Sequence, residues 1–191
     1  MRIESIRSHL VGFSIVGKRR TTIAHAFASA LAPVDGYKLD RVVEALAVLG
    51  QATDDIRCVY CNQPAETWDH LVGLVSAGRF SGYGHVLGNL VPCCKACNSA
   101  KGNKDWQSYL RITIPDESAF NLQVSRITLY QRTYGAPGIS YESISKAFPE
   151  QITQFERIQL EILDLMRQAD ILAEEIRSNL TAVNENDFLP S

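Results

Sequence analysis

Two pairs of cysteines, Cys58 with Cys61 in "CVYC" and Cys94 with Cys97 in "CKAC", stand 36 residues apart in a chain of 191. Two thiolates with two residues between them grip a metal from one tight turn, and two such knuckles complete the tetrahedral sphere of Zn²⁺ with no position left open. Closed coordination marks a structural ion, so the set staples a fold and does no chemistry on a substrate. The plainer reading is buried thiols or a redox pair, and two correctly spaced knuckles in one short segment weigh against it. A fifth cysteine, Cys93, follows Val91 and Pro92. It reads as a small buried hydrophobe on the core side of the turn, with exchange for Cys94 as ligand the alternative.

A second group of residues could act on a substrate. Between the knuckles, "ETWDHLVGL" sets Asp69 beside His70 after Thr67 and Trp68, which favour a strand. A carboxylate is a hard-oxygen ligand suited to Mg²⁺, and an imidazole can take a proton near neutral pH. Adjacent strand residues point to opposite faces, so a strand carrying both into one site must end or bend there, as the glycine of "LVGLVSAG" allows. Taken alone, the pair reads as an ordinary hydrogen-bonded surface pair. Beyond the second knuckle, a helix starting near Lys95 places Asn98 and Lys101 three residues apart, on one face.

The whole order is more specific than its parts: a knuckle, Asp69-His70, a glycine-rich loop ending in Gly88-Asn89-Leu90, the second knuckle, then Asn98 and Lys101. This order resembles the HNH endonuclease family in its zinc-stapled, four-cysteine form. The resemblance covers residues 54 to 111, about a third of the chain. It implies a ββα-metal core that hydrolyses phosphodiester bonds of DNA with one divalent ion, Mg²⁺ or Mn²⁺, leaving 5′-phosphate and 3′-hydroxyl ends. His70 would be the general base and Asn89 would orient it, while Asp69 and Asn98 would hold the catalytic metal. Asn98 stands where the family name has its last histidine, and its side-chain carbonyl is still a donor that a hard ion accepts. Lys101 would meet the phosphate, and Lys95, Lys104 and Arg79 could add phosphate contacts, although each of these three taken singly reads as a solvated surface charge. Restriction or defence against foreign DNA is the role such bacterial nucleases often serve. The reading from another class is a zinc-stapled nucleic-acid-binding module without catalysis. His85 in the glycine-rich "SGYGHVLGN" reads as a surface histidine, with a contact to DNA the alternative; His25 and His9 read as surface histidines, and Trp106 as a core anchor.

The elements around this centre set the expected architecture, an α+β fold with an HNH core flanked by amino-terminal helices and a long carboxy-terminal helix. Residues 1–53 carry two helices, in "TTIAHAFASALAP" and "LDRVVEALAVLGQ", the second with Val42, Val43, Leu46 and Leu49 as its buried face and Gly50 as its stop. The segment 54–111 has few periodic apolar runs, so a metal would replace part of the core it lacks. Residues 112–191 begin as polar, turn-rich chain with short helices through "YGAPGIS" and "SYESISKAF". They end in a helix over 149–180 whose Phe155, Ile158, Ile162, Leu165, Ala169, Leu172 and Ile176 make a coiled-coil seam. That seam would pair with its copy in a homodimer or pack on the amino-terminal helices.

Composition is that of an ordinary soluble chain, with 46% hydrophobic and 21% charged residues. The net charge of −2 hides a basic middle and an acidic stretch after Tyr141, so nucleic acid would be met locally by the middle of the chain. The opening residues fit a secretory signal poorly and no segment suits a membrane span, which points to the cytoplasm. In that reducing compartment, cysteines serve as metal ligands or buried thiols in preference to disulfides.

Overall fold

The computed structural model describes residues 3–8, 10–135 and 138–183; His9 lies outside them, as does the end of the chain beyond 183. After a 3₁₀ turn at Ile3–Ser8 come helices α1 (Ile15–Ala30) and α2 (Leu39–Val48), then strands β1 (Thr67–His70), β2 (Val75–Ser76), β3 (Arg79–Phe80) and β4 (Leu90–Cys93). Helices α3 (Lys95–Lys101), α4 (Trp106–Thr113), α5 (Glu117–Tyr134), α6 (Tyr141–Ala147) and α7 (Pro149–Val183) follow. The chain divides into two compact units, one of residues 1–27 with 147–191 and one of residues 28–146. The expected middle region, 54–111, therefore lies inside a larger unit that takes in residues from both flanks.

The 28–146 unit is built on a short antiparallel pair, β1 with β4, in the register Thr67 to Cys93, Trp68 to Pro92, Asp69 to Val91 and His70 to Leu90. Two short strands cannot bury enough apolar surface to stand alone, and helices supply the rest. From α2 come the buried Ala45 and Leu46, and from its carboxy-terminal cap Leu49. Val43, expected on that face, is 41% exposed, because the buried stripe runs through Ala45 at helical spacing and Val43 falls to its side.

The larger addition is α5. The turn-rich stretch expected after residue 111 is instead an 18-residue helix, capped where the Asp116 carboxylate accepts from the Ala119 amide. Its Phe120, Val124, Ile127, Tyr130 and Tyr134 line the core, with Ile127 and Tyr130 fully buried. Tyr130 sets its hydroxyl against the carbonyls of Leu87 and Leu90, and Gln123 Nε2 donates to Val59 O at 3.1 Å. A single helix thus holds the first knuckle and the approach to β4. Packing is close enough at the 3₁₀ turn Leu87–Asn89 that a Cβ on Gly88 would come within 2.1 Å of Gly135 N. Helix α4 is capped by Asp105 and buries Trp106, Tyr109 and Leu110, so Trp106 is the core anchor expected.

In the other unit, α1 and α7 lie antiparallel. The Asp170 carboxylate accepts from the amides of Ile15 at 2.6 Å and Val16 at 3.0 Å and from the Ser14 hydroxyl at 2.9 Å. Far along both helices the Phe27 and Phe155 rings meet with centroids 4.8 Å apart. Capping an amino terminus with a carboxylate satisfies amides that have no helical partner and suits the helix dipole. Helix α7 starts at Pro149 as expected, and Ile152 and Leu163 are buried on it. The expected seam splits: Phe155, Ile162 and Ala169 are half-buried, whereas Ile158, Leu165, Leu172 and Ile176 are exposed. Among the described residues no helix is long and apolar enough to cross a membrane.

Candidate functional site

The sulfurs of Cys58, Cys61, Cys94 and Cys97 all lie within 4.8 Å of one another, and those of Cys61 and Cys94 are 3.7 Å apart. A tetrahedron with Zn–S bonds of ~2.3 Å has edges of ~3.8 Å, so the four thiols fit one zinc ion. Local backbone explains the gathering. The first knuckle is a turn in which Cys58 N donates to Gln63 O and Asn62 N to Cys58 O, with Asn62 at a φ of 59°. The second spans the start of α3, where Cys94 is the cap and its sulfur accepts from Cys97 N at 3.4 Å. Val59 N donates to Pro92 O at 3.0 Å and ties one knuckle to the other.

Cys93 is 0% exposed, and its thiol donates to Cys94 O at 3.3 Å, so it belongs to the core as expected. It also lies 3.9 Å from the Cys58 sulfur. This neighbour draws the Cys58 thiol down to about 4 against the opposing effect of burial. Burial pushes Cys61 and Cys97 upward. Zinc binding to such thiols releases protons, because only the thiolate is a ligand.

Asp69 and His70 sit at the end of β1, and the strand does stop there. Asp69 is 7% exposed. Its Oδ2 accepts from the Tyr60 hydroxyl at 2.9 Å and faces Lys101 Nζ at 3.0 Å. The same ammonium donates to His70 O at 2.8 Å. Lys101 is thereby enclosed at 2% exposure with its charge matched, and the expected phosphate contact from Lys101 is corrected: the side chain turns inward because α3 lies against β1. Asn98, one turn earlier on α3, shares that face and is half-buried.

The Asn89 side chain grips two loops. Its Oδ1 accepts from Val72 N at 2.9 Å, and its Nδ2 donates to Val72 O and to Gly84 O, each at 3.0 Å. The Asn89 carbonyl also accepts from Leu71 N. At 2% exposure Asn89 has both of its amide protons and its side-chain oxygen bonded within the protein. It thus fixes the chain just after His70 and just before His85.

His85, expected at the surface, is instead half-buried with its Nδ1 3.1 Å from His70 Nε2. Their ring centroids are 5.0 Å apart at an angle of 69°. Burial, with His85 and then Lys101 adding to it, holds His70 below the usual imidazole range, and Asp69 opposes the shift. That shift favours the neutral ring at neutral pH, which has one nitrogen lone pair able to accept a proton.

The other residues expected to meet a backbone do not converge on this pair. Lys95 is exposed and paired with Glu66 at 3.2 Å. Lys104 is exposed and bonds Ala100 O, and Arg79 is on the separate β2–β3 hairpin, its guanidinium 5.6 Å from the Tyr141 ring centroid. Tyr60 and His85 were missed as site residues. Tyr60 stands inside "CVYC", where a zinc turn would place it beside β1, and nothing in the local pattern shows that its hydroxyl reaches Asp69. The chain matches no family model, and neither a curated protein nor a solved structure matches it.

Proposed function

We propose that the 28–146 unit is a zinc-stapled, divalent-metal-dependent phosphodiester hydrolase of the HNH type that acts on DNA. One observation carries this reading: His70 stands at the end of a strand beside a carboxylate, its ring held by His85 and its backbone by Lys101. His70 takes the proton of the attacking water. The hard-oxygen donors for a catalytic ion are Asp69, whose two contacts both fall on Oδ2 and leave Oδ1, and Asn98 on the same face of α3 as Lys101. Bound Mg²⁺ or Mn²⁺ would supply positive charge to the scissile phosphate and the leaving 3′ oxygen. Asn89 keeps His70 in place through the loop that follows it.

The test is cleavage of supercoiled plasmid by the zinc-loaded chain with Mg²⁺ or Mn²⁺, alongside His70→Ala. Cleavage by wild type and none by the variant, with 5′-phosphates at sequenced ends, supports the reading. Equal cleavage by both removes His70 from the mechanism.

A binding module without catalysis is favoured by a different observation, the neutralisation of Asp69 by Lys101. Retention of DNA by the chain in a gel with the plasmid intact under every metal would select it. In either case the exposed edge of α7 supports self-association, because Ile158, Leu165 and Leu172 recur at heptad spacing and are 41%, 63% and 58% exposed.

A further inference from the structure

The loop "SGYGHVLGN" carries three glycines within three residues of His85, a composition that leaves the backbone free to wander unless something holds it. It is held by the segment that follows α1. His85 N donates to Pro33 O at 2.8 Å and Asp35 N donates to His85 O at 3.1 Å, so Val34 and His85 form a parallel bridge. Leu87 N donates to the Asp35 carboxylate at 3.0 Å, two residues further on. From the other side Asn89 Nδ2 holds Gly84 O. Gly84 is required for the approach, since a Cβ there would meet Pro33 O at 2.1 Å. Three consecutive residues outside the knuckles and strands thus hold the backbone from which the His85 ring projects.

At 3.1 Å the contact between His70 Nε2 and His85 Nδ1 is a hydrogen bond, and a hydrogen bond between two ring nitrogens contains one proton, on one ring or the other. If the proton is on His70 Nε2, the lone pair of His70 is on Nδ1 and available to a water. If it is on His85 Nδ1, His70 Nε2 is occupied as the acceptor and Nδ1 carries the other proton, so no lone pair faces a substrate. Only the first arrangement makes His70 a base.

We propose that His85 is a positioning residue for His70, accepting the Nε2 proton so that His70 is fixed as the tautomer with a free Nδ1, and that Pro33–Asp35 is the clamp that sets His85. The inference rests on the reading of His70 as the general base. It gives the chain ahead of the first knuckle a function, and it makes His85 part of the site without contact with substrate.

Two measurements separate this from a packing contact and from failure of the nuclease reading. Long-range ¹H–¹⁵N correlation spectra of the full-length, zinc-loaded chain report which ring nitrogen of each histidine carries the proton, with or without any activity. Wild type is expected to show His70 protonated at Nε2, and His85→Ala a mixture of tautomers. The clamp variant Asp35→Ala, which removes the Leu87 contact and leaves both rings intact, is expected to move towards the same mixture. A wild-type His70 protonated at Nδ1, or a tautomer unaffected by His85→Ala, overturns the proposal. In plasmid cleavage, His85→Ala is expected to lower kcat by roughly 10- to 100-fold with KM little changed, and His85→Gln, whose side-chain carbonyl can accept, to recover part of the loss. Unchanged kcat in His85→Ala also overturns it. If wild type cleaves nothing under any metal, the nuclease reading fails while the spectra still decide whether His85 fixes the tautomer.

Discussion

Lys101 Nζ and Asp69 Oδ2 stand 3.0 Å apart with their side chains 2% and 8% exposed, on two elements that carry His70 and Asn98. The pair joins α3 to β1 at the point where the candidate base leaves the strand. A buried ion pair returns little net stability because both charges lose their water. Removing one member is another matter, since the survivor remains buried and unmatched.

Lys101→Ala is therefore expected to lower stability by about 3–5 kcal/mol and Asp69→Ala by a similar amount. The two losses together should fall short of their sum, by the roughly 0.5–3 kcal/mol typical of residues in contact. Lys104→Ala, at an exposed position, should change stability by no more than about 0.5 kcal/mol. Urea unfolding of the zinc-loaded wild type, the three single variants and the Lys101→Ala, Asp69→Ala double variant measures all of this. Additive losses at Lys101 and Asp69 would show that the pair is not coupled.

The cysteines divide sharply in the structure, and metal analysis should reproduce the division. Cys58→Ser or Cys94→Ser breaks a four-sulfur set and is expected to yield protein with less than one bound zinc and a lowered unfolding midpoint, because zinc binding and folding are linked. Cys93→Ala is expected to keep one zinc per chain and to lose about 1 kcal/mol from the small cavity it leaves. Loss of zinc in Cys93→Ala would instead make Cys93 a ligand.

How much of this was legible in the sequence varied with the range of the interaction. The knuckles, β1, the start of α3 at Lys95 and the start of α7 at Pro149 were readable because each rests on residues two to four positions apart. Helix α5 is hard to read although its apolar stripe at Phe120, Val124, Ile127, Tyr130 and Tyr134 has helical spacing, because the polar residues between them lower its overall apolar character. Lys101 was misread for a different reason: its register with Asn98 was right, but whether a lysine on that face meets solvent or a buried carboxylate depends on what lies opposite. The His85 contact depends on a bridge to Val34, 51 positions earlier, and no local pattern encodes that.

Asn89 makes the strongest case that a single side chain holds the site together. In Asn89→Ala the Val72 amide and the Val72 and Gly84 carbonyls lose their partner together. At about 1–3 kcal/mol for each group left unsatisfied in the interior, and with water reaching some of them, a loss of about 2–5 kcal/mol is expected. Asn89→Asp keeps the acceptor for Val72 N and should lose less in that bond, though it places a carboxylate oxygen against two carbonyls. Thermal unfolding ranks the two, and a loss under about 1 kcal/mol in Asn89→Ala would mean that the loops are held by something else.

The exposed edge of α7 is open to a direct test. Sedimentation velocity across a range of concentrations is expected to show the wild-type chain as a dimer that dissociates on dilution. Leu165→Glu, which puts a charge in the middle of the Ile158, Leu165 and Leu172 row, should give a monomer at every concentration. A wild-type monomer throughout would assign the row to solvent or to a different partner.

The Asp170 cap predicts a pH effect with a definite sign. Amides of Ile15 and Val16, with the Ser14 hydroxyl, hold the Asp170 carboxyl below the usual carboxylate range. A group whose folded pKa is depressed adds stability that is present above its unfolded value, near 3.9, and is lost as pH falls through the folded one. Above pH ~5 the α1 terminus should therefore be more protected in wild type than in Asp170→Asn, which keeps one acceptor and no charge. As pH falls below ~4 the difference should shrink, because the wild-type carboxyl then also becomes neutral. Hydrogen exchange of the Ile15 and Val16 amides, compared as protection factors in the two proteins, reads the cap directly and cancels the effect of acid on the zinc site. A difference that stays constant down to pH ~2 would mean that the charge of Asp170 contributes nothing and that the cap is held by shape alone.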